Sequence, residues 1–301
     1  MRPIIHFIKH PKDILLGVMT HTASLWPDST YLRIVYYLHM GKRLNLKNPK
    51  TYTEKINWLK INDVHPEYSK FVDKYEVKSC VNERLGTDRH TIKTLGVWDS
   101  FDDIDFDSLP EKFVLKTTNG GGNTAVVICR DKTALNFENA RKKLCLCKCD
   151  KSFKWSREYT YLNVEPRIIA EEYIETPDNE LSDYKIFCFD GVPRFLFVGT
   201  ERQKAGVDVK FDFYDVDFRH LPIKNMHENA AIPPAKPKNF ELMLEIASKL
   251  SRGIKHVRVD LYNVDGKIYF GEMTFFHFAG LVPFEPEEWD YKFGEYLKLD
   301  K

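Results

Sequence analysis

Residues 256–280 read HVRVDLYNVDGKIYFGEMTFFHFAG. Two short apolar-rich runs, 256–262 and 267–273, alternate as strands do, and Asn263-Val264-Asp265-Gly266 between them reads as a tight turn. The stretch is a β-hairpin. Arg258 and Asp260 lie two apart on its first strand and so share a face, as do Glu272 and Thr274 on the second. Folding the hairpin brings Asp260 level with Glu272. Two carboxylates on paired strands, with a guanidinium one step away, suit a hard divalent cation and its anionic ligand, of which Mg²⁺ on nucleotide phosphates is the usual case. The same spacing suits two acids on the wet face of a sheet, and spacing by itself does not choose. His277, just past Glu272, has the chemistry of a general base, but its place among phenylalanines favours a packed side chain. His256, at a strand start, reads as structural.

Working outward, a second feature lies at 116–123. Lys116 enters the run Thr117-Thr118-Asn119-Gly120-Gly121-Gly122-Asn123 between two predicted strands, 113–117 and 125–129. Three glycines leave backbone N–H groups accessible, a loop that can fold over phosphates with Lys116 as a point charge. It is not a Walker loop, because G-x₄-G-K-[ST] is absent. Alternatively it is a plain glycine hairpin. Glu171-Glu172-Tyr173-Ile174 ends an apolar strand; its unpaired backbone can read the edge of a purine, or be an ordinary strand end. Asp183 and Lys185 open the next strand and point the same way, beside a nucleotide or as a surface ion pair. Asp73-Lys74 carries no meaning alone.

The remainder sets the frame. A helix over 31–40, capped by Asp28-Ser29-Thr30, stops at Gly41. Thr51-Tyr52-Thr53-Glu54 is a capping box opening a helix to about Asn62. Residues 69–85 hold one or two helices ending at Gly86, 99–109 are acidic and loop-like, and 133–146 are helical. Strands are predicted over 167–174, 183–189, 193–200 and 211–214, and helices over 239–252 and 286–299. The order is α first, then an antiparallel-leaning α+β body.

The chain of 301 residues, 43% apolar and 14% aromatic, is long enough for a sizeable core. Its net charge of +1 gives no global argument for nucleic acid. The apolar run 14–19 is too short to span a bilayer and lacks a signal-cleavage site; the basic, amphipathic start is expected to pack on the main body, with a membrane surface as the other option. Cys145, Cys147 and Cys149 in CLCKC do not match C-x₂-C metal pairs. Free thiols in a reduced cytoplasm are expected.

The phrases NPKTYTEKINWLK, FVDKYEVK, FVLKTTNGGGN, EEYI, DYKIFCFDGVPRF, HVRVDLYNVDGKIYFGEMTF and FEPEEWD, in that order over about 45–299, resemble the TupA-like (teichuronopeptide-biosynthesis) family of the ATP-grasp superfamily. The resemblance implies an α+β ATP-grasp fold, two α/β lobes clasping ATP. On that reading a helical region spans 1–90, a lobe with the glycine-rich loop 91–175, and a lobe with the metal site 176–301. It implies Lys74 and Lys116 on nucleotide phosphates under Gly120, Gly121, Gly122 and Asn123. It also implies the Glu171–Glu172–Ile174 hinge on adenine, Asp183 (or Glu180) on the ribose, and Asp260, Glu272 and Thr274 at Mg²⁺. Arg258, with Lys185, is implied in catalysis. Two departures stand out. Thr274 occupies the place of the asparagine of Glu-x-Asn, and a hydroxyl is a weaker ligand than an amide carbonyl. HFAG replaces small polar residues near the acceptor pocket.

The implied activity is an ATP-dependent carboxylate–amine ligase working through an acyl phosphate, with ATP and Mg²⁺, in surface-polysaccharide assembly (capsule, O-antigen or teichuronopeptide). Its partners would be a carboxylate-bearing glycan or amino acid and an amine, without nucleic acid. The cytoplasm is the expected location, with peripheral contact to the membrane's inner face or a lipid-linked glycan. The alternative is a glycosyltransferase or sugar kinase of the same pathway, for which Asp103-Ile104-Asp105, Asp105-Phe106-Asp107 and Asp215-Val216-Asp217 are the candidate D-x-D metal strings. A non-catalytic nucleotide binder is a third reading.

Overall fold

The computed structural model describes residues 11–119, 126–149, 153–176, 180–202 and 206–299. Helices α1 (Pro11–His21), α2 (Asp28–Met40) and α3 (Tyr52–Asn62) come first. In α2 the cap is Pro27 rather than the predicted Asp28–Thr30. Asp28 is drawn away from capping, because it pairs with Arg157 at 2.9 Å and accepts from the Tyr159 hydroxyl at 3.1 Å. The capping box of α3 forms as read: Thr51 accepts from the Glu54 N–H while Glu54 accepts from the Thr51 N–H. The apolar side of α2 (Tyr31, Leu32, Val35, Tyr36) packs with Met19, Leu44 and Leu281, so this region rests on the body. Ile14, Leu15 and Val18 of α1 remain exposed. Two more helices follow, α4 (Ser69–Val72) and α5 (Glu76–Leu85), the latter ended by Gly86 at φ 68°.

Two antiparallel sheets form the rest. The smaller has the order β1-β4-β2-β3, with β1 (Thr94–Trp98), β2 (Phe113–Thr117), β3 (Val126–Cys129) and β4 (Ile168–Glu172). The sequence pattern does not announce strand β1. Its TLGVW is short and carries a register shift between Thr94 and Gly96, which blurs the two-residue period. Leu115, Phe113, Ile168 and Ala170 face helix α6 (Phe137–Lys148) through its buried Ala140 and Leu144. The opposite face therefore carries Lys116 and Glu171. A one-turn helix, α7 (Phe153–Ser156), precedes β4.

The larger sheet has the order β10-β9-β5-β6-β7-β8. Its strands are β5 (Asp183–Phe189), β6 (Val192–Thr200), β7 (Lys210–Asp215), β8 (His220–Leu221), β9 (His256–Val264) and β10 (Lys267–Thr274). Helix α8 (Phe240–Ser251) covers one face, burying Phe240, Met243, Ile246 and Leu250 with Val257, Val259 and Leu261. At roughly 1.5–3 kcal/mol for each fully buried large apolar side chain, that face anchors the hairpin. The other face carries Arg258, Asp260, Lys185 and Asp183. The final helix is α9 (Glu288–Tyr296).

Candidate nucleotide and metal site

The predicted hairpin is present, and its turn residues Asp265 and Gly266 both have positive φ (52° and 93°), as a two-residue type I′ turn requires. An unbroken ladder from Lys267↔Val264 would set Gly271 opposite Asp260. Instead the register shifts after Phe270, and Glu272 pairs with Asp260. Gly271 is the extra residue of a bulge. Were the ladder regular, Glu272 would stand opposite Val259 and point into the apolar core. With the bulge, Asp260↔Glu272, Lys185↔Asp260 and Arg258↔Thr274 are aligned across β5, β9 and β10 on one face.

Arg258 is buried and holds this face together. Its Nε and Nη2 donate to the two oxygens of Asp260 at 2.7 Å each. Nη2 also donates to the Thr274 hydroxyl at 3.0 Å and reaches Glu272 Oε1 at 3.5 Å. Nη1 lies 2.8 Å from His277 Nδ1. Because guanidinium only donates, Nδ1 is the acceptor, and Nε2–H donates to Asn225 Oδ1 at 2.8 Å. Burial first, and then Arg258, push His277 far below its ordinary pKa. Its ring packs on Phe187, Phe197 and Phe278. His277 is packed, as its neighbours in sequence suggest, and it also orients Arg258. Burial works against the charge of Arg258, but Asp260 and Glu272 hold it protonated. His256 is structural: Nδ1 contacts the Phe275 carbonyl at 2.9 Å, the Tyr52 hydroxyl lies 3.1 Å from Nε2, and burial lowers its pKa to about 3.

Lys185 pairs with Asp183 at 2.7 Å and with Asp260. Asp183 is 2% exposed, so this is a buried network and not a surface pair. Arg202, which nothing in the sequence marks, also reaches Asp183, at 2.5 Å. Burial opposes ionisation of Glu272, yet Lys74, Lys185, Arg258 and Arg202 together hold it at about 2. Burial pushes Asp260 upward, against Arg258 and Lys185.

Across from this face, Lys116 pairs with Glu171, which also takes Lys78 at 2.7 Å. Glu171 is buried but held below the usual carboxylate range by Lys116 and Lys78. It lies under the lysines that it positions. Sequence reasoning misses Lys78, although it sits inside FVDKYEVK; it also donates to the Ile92 carbonyl and the Thr94 hydroxyl, both at 2.7 Å. Burial lowers Lys74, which feels Glu272, Lys116 and Glu171 together. Lys74 thus stands between the two carboxylate clusters. Neither Lys116 nor Lys185 is solvent-facing: their side chains are 13% and 12% exposed.

Glu172, Tyr173 and Ile174 line a cleft of about 920 Å³ with Tyr75, Lys78 and Tyr269. The Glu172 N–H is spent on the Lys93 carbonyl at 3.0 Å, so that donor is not open to a ligand. Gly120, Gly121, Gly122 and Asn123 lie outside the described residues. The D-x-D strings serve local turns: Asp105 accepts from the N–H groups of Asp107 and Ser108, and Asp215 from those of Asp217 and Arg219. Among the described residues none is hydrogen-bonded or paired to Lys74, Lys116, Lys185, Arg258, Asp260 or Glu272. Among the described residues Cys80, Cys129, Cys145, Cys147, Cys149 and Cys188 form no disulfide. Among the described residues no helix is long and apolar enough to cross a membrane.

The order of these elements agrees with a family-level match: the family described as TupA-like ATPgrasp covers residues 54–298. The chain belongs to this TupA-like ATPgrasp family. Its fold is the α+β ATP-grasp fold, with the hairpin carboxylates on one sheet and Lys116 on the other. A comparison with curated proteins gave no match. Among solved structures, the chain is similar to an L-amino acid ligase from Bacillus licheniformis (15% identity, 90% of this chain, 56% of that chain, TM-score 0.44). It is also similar to D-cycloserine synthetase (17%, 93%, 82%, 0.42) and to D-alanine–D-alanine ligase from Bacillus anthracis (16%, 68%, 56%, 0.37). The chain spans little more than half the length of the first and third.

Proposed function

We propose that this TupA-like ATPgrasp protein is an ATP-dependent carboxylate–amine ligase. The observation that carries the reading is the alignment of Lys185, Asp260 and Glu272 across three strands with Arg258, and Lys74 and Lys116 on the side facing them. Lys74 and Lys116 would take the phosphates under Gly120, Gly121, Gly122 and Asn123. Glu172 and Ile174 would hold adenine, and Asp183 the ribose, with Glu171 positioning Lys116.

The donor set fits Mg²⁺: Glu272 is held ionised by the cations around it, is 33% exposed, and lies 3.5 Å from Arg258 and from the Thr274 hydroxyl. Asp260 and Thr274 add oxygen donors, the type that Mg²⁺ takes. Asp260 and Glu272 would hold it, with Thr274 beside them. Bound there, the cation would offset charge developing on the phosphates.

In the reaction, a substrate carboxylate oxygen bonds to the γ-phosphorus as the bond to ADP breaks. Lys74, Lys116 and Lys185 orient the phosphates. An amine then attacks the acyl carbon; phosphate leaves and the nitrogen loses a proton. Arg258, preset by Asp260 and His277, stabilises the oxyanion. The setting in surface-polysaccharide assembly, in the cytoplasm at the inner face of the membrane, belongs to the same proposal, as does the division at 1–90, 91–175 and 176–301.

The test is carboxylate-dependent ADP release with glucuronate and glutamate as probes, hydroxylamine trapping the acyl phosphate as a hydroxamate. ATP titration runs beside it with Mg²⁺ and with excess chelator. Hydroxamate formation together with Mg²⁺-dependent binding is expected. Equal ATP affinity in chelator would overturn the metal assignment, and ADP release without hydroxamate would overturn the ligase.

A further inference from the structure

A second cleft, of about 510 Å³, lies next to this face, between α2, the segment 153–166 and the turn 278–282. Phe278 follows His277, the partner of Arg258, and the two rings are 4.2 Å apart. Tyr161, which also lines the cleft, feels Glu158, Glu272, Arg258 and Asp260. The cleft therefore opens within a residue of the reacting face.

Three charged groups stand at it, Lys60, Lys148 and Glu158. Lys60, buried at its edge, has three N–H donors and spends them on the carbonyls of Ser156 and Ala279, each at 2.7 Å, and on Asn57 Oδ1 at 3.5 Å. Lys148 is tied to the Asp99 carbonyl. Burial, and then Lys60, hold His39 toward its neutral form. Glu158 lines the cleft: burial works against its ionisation, Lys60, whose donors go elsewhere, offsets its charge through space, and Ser156 gives it a hydrogen bond. Around it stand the rings of Phe153, Trp155, Tyr161 and Phe278. A carboxylate set among aromatic faces is the chemistry that recognises an organic ammonium, by charge-assisted hydrogen bonding and cation–π contact.

The wall is built, not incidental. Phe278, Ala279 and Gly280 all have positive φ (45°, 54° and 61°), a strained run for non-glycine residues. Lys60 on the Ala279 carbonyl and Asn57 on the Gly280 carbonyl, at 2.9 Å, hold it in place. A Cβ at Gly280 would come within 2.7 Å of Asn57.

We propose that this cleft is the amine subsite, that Glu158 anchors the substrate's ammonium, and that the substrate is an amine with an apolar or planar body. This rests on the ligase reading above and adds the amine's class to it.

The test compares 2-phenylethylammonium with its neutral counterpart 2-phenylethanol, by calorimetry or ligand-observed NMR, on the full chain with Mg-ATP titrated in the same samples. The ammonium is expected to bind about tenfold more tightly, the scale of one hydrogen bond to a charged group. Glu158→Gln should bring the two ligands level while Mg-ATP binding stays the same. Equal affinities in the wild-type protein, or an ammonium preference that survives Glu158→Gln, would overturn the proposal. Loss of Mg-ATP binding in the wild type would instead overturn the nucleotide reading. If Glu158→Gln does not fold, the wild-type pair and Trp155→Ala decide: the variant should weaken both ligands, and unchanged affinities would place them elsewhere.

Discussion

The two carboxylate clusters of the site are neutralised by different cations. On the small sheet, Glu171 is shared by two lysines, Lys116 and Lys78. On the hairpin, Asp260 is held by the fork of Arg258, with Lys185 beside it. A lysine is a point charge on a flexible stem and can turn from a carboxylate to an incoming phosphate. An arginine fork fixed at both oxygens, and again by Thr274 and His277, cannot turn without breaking several bonds. The lysine side is adaptable and suits binding; the arginine side is preset and suits a charge that appears only during reaction.

The sharpest way to break this contrast is Arg258→Lys. Turnover should fall roughly 10²-fold or more, the scale of losing an oxyanion donor, with Mg-ATP binding within a few-fold. Normal ADP release, or parallel loss of binding and turnover, would erase the distinction between the clusters. Next, Lys116→Ala should weaken Mg-ATP about tenfold, one charge-assisted bond. Its melting temperature should change little, less than ~1 kcal/mol in stability, because Lys78 still neutralises Glu171. A collapse of the far-UV spectrum would make that lysine structural.

A third experiment reads the hairpin by pH. Glu272 sits at about 2 when folded, against an ordinary 4.5. A depressed carboxyl stabilises the fold fully above its unfolded pKa, and that contribution fades as pH falls through the folded value. Thermal melts between pH 6 and 2 should therefore show a steeper acid loss in the wild type than in Glu272→Gln; parallel curves would mean that the cations do not hold this group. Smallest of all, Thr274→Val removes one acceptor of Arg258 and should lower turnover only a few-fold. A loss as large as that of Arg258→Lys would give the hydroxyl a direct role in the reaction.

Much of this is legible in the sequence because it is local. The hairpin, the Thr51 box, the Gly86 stop and strand β5 follow from period and capping chemistry over a few residues. The pairing of Asp260 with Glu272 is legible too, but not the bulge that produces it, although the apolar spacing Ile268, Phe270, Met273 skips one position at Gly271. What cannot be read depends on distant partners. Asp28 looks like a cap until Arg157 claims it. His277 looks merely packed until Arg258 and Asn225 fix its tautomer. Lys60 and Asn57 look like ordinary helix residues until the left-handed turn needs their donors. These hydrogen bonds reach from 19 to 223 positions along the chain, and no pattern of neighbours encodes them.

The bulge has a consequence for mutational tolerance. Deleting Gly271 would leave the ladder unbroken with Glu272 still opposite Asp260, so the acid pair survives a change in length. Adding a side chain there would bring its Cβ to 3.0 Å from the Asp260 carbonyl and 3.3 Å from the Tyr262 ring, against the backbone that carries the Asp260 carboxylate. At this one position shortening should cost less stability than substitution, which melting of the Gly271 deletion beside Gly271→Val checks.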